Sequence, residues 1–282
     1  MKKIIISILL AVCICFASAC TPAGYPIKVG ETEISFRPKR VVCLDETTAS
    51  IISELGYAEK IVGAPKTAIE SAELTATDIG TAFELFTETI ISLKPDLIIT
   101  SFEIKTTLKN LFAQNKITVL KVENPNSVAE LKTLRTEFFG LFEGEKKAPK
   151  KEKEYSKAFD ARVLEMKNKN SAVTKKAVLY IENGFVATGD SIFGSLLTEI
   201  GITNIAQEKM GYIMSDSEVA ALSPDVIFCA KGMGDLLMKT EALASTPAVL
   251  NGAVYEVKVE SLYACGKNLL PTLEEMTNFF IK

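Results

Sequence analysis

One pattern, present twice, constrains the fold of this chain more than any other feature. The first copy is TIISLKPDLIIT at residues 89–100, and the second is VAALSPDVIFCA at residues 219–230. Each copy reads as the end of an amphipathic helix, a Pro-Asp turn and a short apolar strand. Proline stops the helix because its ring clashes with the preceding turn and it has no N–H to donate. Aspartate suits the turn because its side chain can bond nearby backbone amides.

The strand in each copy is apolar on consecutive residues and lacks the alternation of a half-exposed strand. This pattern is typical of a strand covered on both faces, as in a parallel sheet. The two copies lie about 130 residues apart, roughly one domain length. The repeat therefore predicts two similar α/β lobes with separate cores, although helix-Pro-Asp-strand units also recur within single α/β domains.

The first 20 residues indicate export. A short positive start is followed by an apolar run from Ile4 to Phe16, three small residues and Cys20. This is the order of a secretory signal peptide, and the run is too short for a comfortable membrane span. The sequence Ala-Ser-Ala-Cys resembles a bacterial lipobox, with Ala17 where leucine is most usual. We expect residues 1–19 to be removed and Cys20 to be lipidated; ordinary cleavage before an unmodified cysteine is the alternative.

Lipidation would anchor the protein to the cell membrane, on its extracellular or periplasmic side, because several acyl chains on one residue hold a protein firmly. The other cysteines beyond the signal are Cys43, Cys229 and Cys265. An odd count argues against a disulfide framework. Cys229 and Cys265 could pair, or all three could be buried thiols.

Composition excludes several classes of function. The sequence has 282 residues and contains no histidine and no tryptophan, which removes Ser-His-Asp and Cys-His catalysis and His-ligated zinc or haem. The formal net charge is −3, and it falls to about −5 without Lys2 and Lys3, so there is no basic field for nucleic acid. Hydrophobic residues make up 48% of the chain, enough for two core-bearing domains. We expect a monomer.

Periodicity divides the mature chain into four parts. Residues 20–36 read as a tether and a hairpin around Gly30. Residues 37–143 read as a β-α-β-α-β-α-β lobe in which Thr47 or Thr48 caps the first helix, Ala49 to Leu55, and Gly56 ends it. Residues 144–170 read as a connecting helix, and residues 171–282 as the second lobe. The connecting segment is dense in Lys and Glu, so a disordered linker is the alternative. Its apolar residues fall on one helical stripe: Tyr155, Phe159, Val163 and Met166.

Several short motifs resemble one family. The runs PKRVVCL at 38–44, ELG at 54–56 and IVG at 61–63 are similar to the opening of the cobalamin and ferric-siderophore binding proteins of ABC importers. Both Leu-x-Pro-Asp strands, NGAVY at 251–255, the lipobox and the charged connecting helix fit the same family. The resemblance implies a class III periplasmic-binding-protein fold, with two Rossmann-like lobes of mostly parallel sheet joined by a single long helix. It also implies a ligand in the cleft between the lobes and delivery to an ABC permease with its ATPase.

The ligand-binding candidates come from loops beyond the carboxyl ends of the strands, where doubly wound sheets bind ligands. These loops offer aromatic walls and orienting polar groups: Asp45, Glu46, Thr47, Thr81, Phe83, Ser101, Phe102, Glu103, Phe185, Tyr212, Lys231 and Tyr263. Any one of the aromatic residues could pack in the core instead. The loops carry more acid than base, whereas a trianionic catecholate chelate would need several Arg or Lys. A neutral or cationic chelate is therefore favoured, such as a corrinoid or a hydroxamate-type ferric complex.

The resemblance further implies one glutamate per lobe that docks on the permease. Glu88, seven residues before Pro95, matches the first. Ser217 stands at the matching place in the second lobe, and Glu218 follows it, about 100 degrees further around a helix. Glu218 or Asp216 could take the role, and all these acids could equally be solvated helix charges.

An exported enzyme on the same two-lobe fold is the alternative function. No G-x-S-x-G, Walker or G-x-G-x-x-G motif follows a predicted strand. Carboxylate- or metal-dependent chemistry stays open, because Asp45, Glu46, Glu84 and Glu103 could face one cleft. A surface adhesin or structural lipoprotein is a third possibility. The sequence favours a binding protein whose one covalent group is the N-terminal lipid and whose ligand is a metal chelate.

Overall fold

A computed structural model describes residues 23–282, and in it two parallel sheets stand apart, joined through a pair of long helices. The predicted signal peptide and Cys20 lie outside the described residues. The described chain opens with the predicted hairpin, formed by strands β1 (Ile27–Val29) and β2 (Thr32–Ile34), which pair antiparallel. Gly30 has a φ of 56° in the turn, a conformation that glycine adopts without a steric penalty.

The first lobe holds a five-stranded parallel sheet of order β5-β4-β3-β6-β7. Its strands, in chain order, are β3 (Val41–Cys43), β4 (Ile61–Ala64), β5 (Thr77–Asp78), β6 (Leu97–Thr100) and β7 (Thr118–Lys121). Its helices are α1 (Glu46–Ile52), α2 (Lys66–Ala72), α3 (Thr87–Ser92) and α4 (Thr106–Gln114). The central strands β3 and β6 are buried along their whole length, as their continuous apolar runs predict.

The predicted start of the first helix is wrong. Asp45, not Thr47 or Thr48, caps α1: its backbone is extended and its carboxylate accepts the Thr48 N–H at 2.9 Å. The two threonines lie inside the helix and are buried, so α1 begins at Glu46, three residues before the prediction. The helix runs into a π-helical turn, Ser53–Tyr57. Gly56 has a φ of 89° there, in agreement with its predicted role as the helix stop.

Two helices connect the lobes. Helix α5 (Val128–Glu143) begins at a Ser127 cap, and α6 (Ala148–Asn170) is the long charged helix. The prediction of a continuous helix for the charged segment is confirmed, and the disordered-linker alternative is wrong. Three residues of the predicted apolar stripe are buried, and Tyr155 packs partly buried against the same core. In the part of the chain described, no helix is long and apolar enough to cross a membrane.

The second lobe repeats the plan with a parallel sheet of order β10-β8-β11-β12, to which β9 adds antiparallel to β8. Its strands are β8 (Lys176–Glu182), β9 (Phe185–Val186), β10 (Thr203–Asn204), β11 (Val226–Ala230) and β12 (Val254–Val257). Its helices are α7 (Ile192–Glu199), α8 (Asp216–Ala221), α9 (Gly234–Lys239), α10 (Pro247–Leu250), α11 (Val259–Ala264) and α12 (Leu269–Phe280). The predicted two-lobe fold of mostly parallel sheets is confirmed.

The two Pro-Asp copies have the same local structure. The Asp96 carboxylate accepts the backbone N–H groups of Lys39 at 2.8 Å and Arg40 at 3.2 Å. The Asp225 carboxylate accepts the backbone N–H of Lys176 at 2.8 Å. Each aspartate thus ties the start of its own strand to the start of the neighbouring central strand. The residues before the two prolines, Lys94 and Ser223, also share a positive φ of 49° and 53°.

The cores of the two lobes are not fully separate. One hydrophobic cluster runs from the first sheet through α5 and α6 to the second sheet, and each lobe has a further cluster of its own. The expectation of two separately packed halves is therefore wrong for the faces that meet the connecting helices. The three cysteines are free and buried, so Cys229 and Cys265 do not pair. Burial raises the pKa of each of these two thiols to about 12.

A buried ion pair lies between the connecting helices. Arg135 of α5 is 1% exposed, and its guanidinium is 3.3 Å from the carboxylate of Glu152 on α6. The guanidinium also lies over the rings of Tyr155 and Phe159, 4.9 and 5.0 Å from their centroids. Two apolar helices could slide along one another, whereas this arrangement fixes their register.

The Arg135→Met variant tests the ion pair. It keeps most of the side-chain volume but leaves the Glu152 carboxylate buried without its cation, so we expect the free energy of unfolding to fall by about 3–5 kcal/mol. The double variant R135M/E152Q should recover part of that loss, since no buried charge remains. Urea unfolding followed by circular dichroism measures both. Wild-type stability in the single variant would contradict this account of the pair.

Candidate ligand-binding site

The two lobes meet where α11 of the second lobe packs on α1 of the first, and we call this contact the interlobe seam. The hydroxyl of Thr47 donates to the backbone carbonyl of Tyr263 at 3.5 Å. Gly266 lies against Ser50, and a Cβ at Gly266 would come within 2.8 Å of the serine Cβ. The sequence predicted that residues of α1 would belong to the site. No motif in the sequence indicates that α11 packs closely against α1.

Tyr263 is the residue that reaches across the seam. Its phenol oxygen accepts a hydrogen bond from the side-chain Nδ2 of Asn124 at 2.9 Å, and Asn124 belongs to the first lobe, in the loop after β7. The Tyr263 ring stacks on Phe193 with centroids 6.5 Å apart and an interplanar angle of 18°, and the side chain is 45% exposed. Burial raises the pKa of the phenol, so it remains a neutral donor at neutral pH.

Two of the candidates, Asp45 and Ser101, come together, but through the protein's own backbone. One carboxylate oxygen of Asp45 accepts the Thr48 N–H, and the other accepts the Ser101 N–H at 2.8 Å. Burial raises the pKa of Asp45, and the N–H groups of Thr48 and Ser101 oppose the shift. Since both oxygens are engaged, Asp45 holds the loops after β3 and β6 together beside the seam.

The second lobe contributes a loop that carries Tyr212. The backbone carbonyl of Tyr212 accepts the Val186 N–H at 2.7 Å, next to Phe185, which is 40% exposed. The Asp190 carboxylate accepts the Gly211 N–H at 3.0 Å and fixes the same loop. Burial raises the pKa of the Tyr212 phenol, with smaller contributions from Asp190 and Tyr263. The hydrogen bonds of Val186 and Asp190 thus hold the loop that carries Tyr212 in place.

A groove of about 1370 Å³ lies on the first lobe rather than centrally between the lobes. It runs along β7 between α4 and α5, and Phe102, Glu103 and Asn124 are among the residues that line it. Two of its three lysines have acidic partners: Lys109 pairs with Glu103, and Lys121 lies 2.7 Å from Glu123. The groove reaches the seam at Asn124.

Within residues 23–282, the remaining candidates form no hydrogen bond with Tyr263. Thr81 and Phe83 stand on a tight turn closed by hydrogen bonds between Thr81 and Glu84, and Phe83 is fully exposed to solvent. Glu46 accepts a hydrogen bond from Ser71 at 2.9 Å and borders a small cavity between α1 and α11. Lys231 is exposed on the turn after β11. Within residues 23–282, no group of three Cys, Asp or Glu side chains is arranged to hold a metal ion.

The predicted docking acids differ in their surroundings. Glu88 is exposed in the first turn of α3. Glu218 is exposed on α8, but its carboxylate accepts the Ser215 N–H and hydroxyl, both at 2.8 Å, in a capping box. These bonds lower the pKa of Glu218. Asp216 accepts the hydroxyl of Tyr180 at 2.9 Å.

Comparison with known proteins identifies the family. Residues 41–260 match the profile of a family described as periplasmic binding protein (Peripla_BP_2). The chain belongs to this family. It is therefore a binding protein and not an enzyme, so the exported-enzyme alternative is wrong.

Two Bacillus subtilis (strain 168) proteins are similar along most of their length. The ABC transporter substrate-binding lipoprotein YvrC is 27% identical over 87% of this chain and 81% of its own. The Fe(3+)-citrate-binding protein YfmC is 25% identical over 80% of this chain and 75% of its own. Among solved structures, the periplasmic haem binding protein HutB of Vibrio cholerae superimposes with a TM-score of 0.73, at 19% identity, over 86% of this chain and 99% of that one.

Sequence reasoning missed two residues of the site, Asn124 and Phe193. Asn124 could have been found, because it lies in the loop after the last strand predicted for the first lobe, and the ends of the neighbouring strands were already candidates. Phe193 gave no such signal, since its place in the first turn of α7 reads as ordinary core packing.

The Asp45→Ala variant tests the anchoring of the loops. It removes the helix cap and the bond to Ser101, so we expect the free energy of unfolding to fall by about 2 kcal/mol. Asp45→Asn keeps one acceptor and should lose less. Chemical unfolding of the three proteins at pH 7 measures the losses. Equal stability of D45A and wild type would show that the two bonds are dispensable.

The raised pKa of Asp45 also predicts how the stability of the protein depends on pH. A carboxyl whose pKa is raised by folding favours the folded state below its unfolded pKa, about 3.9, and loses that contribution as the pH rises through its folded pKa. The stability of wild type relative to D45N should therefore fall from pH 4 to pH 7. Urea unfolding at both values measures it, and a relative stability that rises with pH would contradict the sign of the shift.

Proposed function

We propose that this protein is the extracytoplasmic binding component of an ABC-type importer, and that it holds an iron chelate or a corrinoid at the interlobe seam. The observation that supports the location is the meeting of groups from both lobes at Tyr263. Thr47 and Asn124 come from the first lobe, and Phe193 and Tyr263 from the second. A ligand that bridges both lobes gains contacts that depend on their relative position, which is how binding can report to a transporter.

The relatives support the ligand class. One is described as an ABC transporter substrate-binding lipoprotein, one as an Fe(3+)-citrate-binding protein and one as a haem binding protein. The two ligands that these descriptions name, Fe(3+)-citrate and haem, each carry a metal within a compact or flat organic frame. Aromatic side chains such as Tyr212 and Tyr263 are suited to such surfaces.

The charged residues near the seam favour some of the possible chelates over others. Asp45 and Glu46 lie close enough to raise the pKa of Tyr263, and Asp190 does the same for Tyr212. Two of the three lysines that line the groove, Lys109 and Lys121, have acidic partners, and glutamates outnumber lysines in its lining. A chelate rich in carboxylates would need free cations of its own. We therefore favour a neutral or cationic complex, such as a corrinoid or a hydroxamate-type ferric complex, over citrate or haem.

The remaining parts of the proposal concern the membrane. A lipid on Cys20 would hold the protein on the outer surface of the cell membrane, within reach of the permease. Glu88 is the better of the two docking acids, because it is exposed in the first turn of α3, whereas the Glu218 carboxylate is engaged in its helix cap.

Titration of the purified protein with a panel of chelates tests the ligand class. We expect cobalamin or a ferric hydroxamate complex to bind at micromolar concentration or below, one per chain, and ferric citrate and haem to bind at least about tenfold more weakly, a difference of about 1.4 kcal/mol. Quenching of tyrosine fluorescence and native mass spectrometry measure affinity and stoichiometry. Failure of the whole panel to bind would remove the importer proposal.

The Glu88→Gln variant tests docking separately from binding. We expect its chelate affinity to equal that of wild type, while ligand-dependent stimulation of the permease and ATPase complex in proteoliposomes falls about tenfold or more, because one charge-assisted contact is lost. Glu218→Gln is the matched control, since glutamine can keep the capping box. Equal stimulation by E88Q and wild type would exclude Glu88 as the docking acid.

A further inference from the structure

An ion pair crosses the interlobe seam. The Glu73 carboxylate, just beyond α2 of the first lobe, lies 2.8 Å from the ammonium of Lys267, just beyond α11 of the second lobe. Ser71 donates a hydrogen bond to Glu46 at 2.9 Å, which places the end of α2 beside the first turn of α1. The ion pair therefore lies at the same end of α1 as the contact with Tyr263.

Glu73 adopts a backbone conformation that is unusual for its residue type. Its φ of 53° and ψ of 46° are left-handed, a conformation that glycine or asparagine commonly adopts at helix ends and that other residues adopt at an energetic cost. Its side chain is 80% exposed, so burial does not account for a glutamate at this position. The ion pair does account for it, because neither glycine nor asparagine carries a charge that attracts Lys267.

Lys267 lies among acidic side chains from both lobes. Glu46 and Glu54 of the first lobe and Glu260 of the second line the small cavity between α1 and α11. Lys267 lines it too, and among the described residues it is the only cation that does so. Without Lys267, like charges from the two lobes would remain around this cavity and repel one another. The lysine thus attracts the second lobe to the first where the other charges oppose contact.

We propose that Glu73 and Lys267 form an electrostatic latch that holds the two lobes together over the bound ligand and slows its release. A ligand that bridges the lobes loses contacts when they separate, so whatever favours the closed arrangement also retains the ligand. An exposed ion pair changes such an equilibrium by only a few-fold, which suits a protein that must later give up its ligand. The effect on release rests on the proposed function, whereas the effect on lobe opening does not.

Three variants separate the latch from other effects of charge. Glu73→Asn removes the charge and supplies a residue that tolerates a left-handed backbone, so its thermal stability should stay close to that of wild type. Lys267→Gln removes the cation. Glu70→Gln is the matched control, because Glu70 pairs with Lys66 inside α2 at 3.8 Å. It loses the same charge three residues away from Glu73 without any change across the seam.

Ligand release tests the effect of the latch on binding. The probes are cobalamin and the ferric hydroxamate ferrioxamine B, and stopped-flow tyrosine fluorescence measures their dissociation rates. Both E73N and K267Q should release a bound probe about threefold faster than wild type, since one exposed ion pair contributes a few-fold at most. Release from E70Q should match that from wild type.

Ionic strength distinguishes the latch from the acids around it. Raising the salt concentration from about 50 mM to about 500 mM should speed release from wild type and E70Q about twofold, because salt screens the ion pair. In K267Q the same change should slow release or leave it unaltered, since salt then screens only repulsion between glutamates. Faster release from K267Q at high salt would contradict the role given to the lysine.

Lobe opening is measurable without a ligand. In the free proteins, hydrogen–deuterium exchange within the seam segments 45–52 and 259–268 should be about threefold faster in E73N and K267Q than in wild type and E70Q, because local opening exposes these amides. Exchange in strand β6, which is buried within the first lobe, should be the same in all four proteins.

Two results would overturn the inference. Unchanged exchange at the seam in both E73N and K267Q would show that the pair does not hold the lobes together, and the importer proposal would be unaffected. Faster exchange without faster release of a probe that binds would show that opening of the seam does not control the ligand. If no chelate binds, the importer proposal falls, whereas the exchange rates still decide whether the pair joins the lobes.

Discussion

The geometry of this protein depends on how its two connecting helices are held together. Helices α5 and α6 carry the hydrophobic cluster that both sheets share, so the distance between the lobes is set by the packing of this helix pair. Arg135 is buried at their contact, with Glu152 on one side and aromatic rings on the other. Buried ion pairs contribute little to stability, but they tolerate few alternative arrangements. The seam needs this rigidity because single side chains there bridge the lobes over hydrogen-bond distances.

The internal repeat explains why the loops of both lobes arrive at one place. In each copy, the aspartate of the Pro-Asp turn binds backbone N–H groups at the start of the adjacent strand. The beginnings of the central strands are therefore aligned in the same way in both lobes. The carboxyl ends of these strands are correspondingly aligned, and they present Asp45, Ser101 and Asn124 on one side of the seam. Asp45 then couples two of these loops through bonds to backbone amides rather than to a ligand.

Much of the fold followed from the sequence, because its signals are local. Buried strands, the helix-stopping Gly56, the hairpin at Gly30 and the apolar stripe of α6 each depend on a few neighbouring residues. The cap of α1 was misjudged, since aspartate and threonine are both good caps and the pattern does not separate adjacent candidates. The shared core was also missed: the residues that join it belong to helices whose partners are far apart in sequence.

The site was harder to predict for the same reason. The rule that ligands bind beyond strand ends brought in Thr47 and Tyr263, which do meet, but it cannot tell which loop turns toward the seam. Phe83 illustrates this, because a tight turn holds it in solvent instead. The hydrogen bond between Asn124 and Tyr263 joins residues 139 positions apart in the chain. No pattern of residue spacing in the sequence predicts such a pair.

The central claim is that one bound ligand contacts both lobes at the interlobe seam. Hydrogen–deuterium exchange of the protein with and without a bound chelate tests it most directly. The account predicts that the chelate slows amide exchange in the loop after β7, around Asn124, and in α11, around Tyr263, to a similar extent, while exchange in α5 and α6 stays unchanged. Protection confined to one lobe, or located on the outer surface of either sheet, would contradict it.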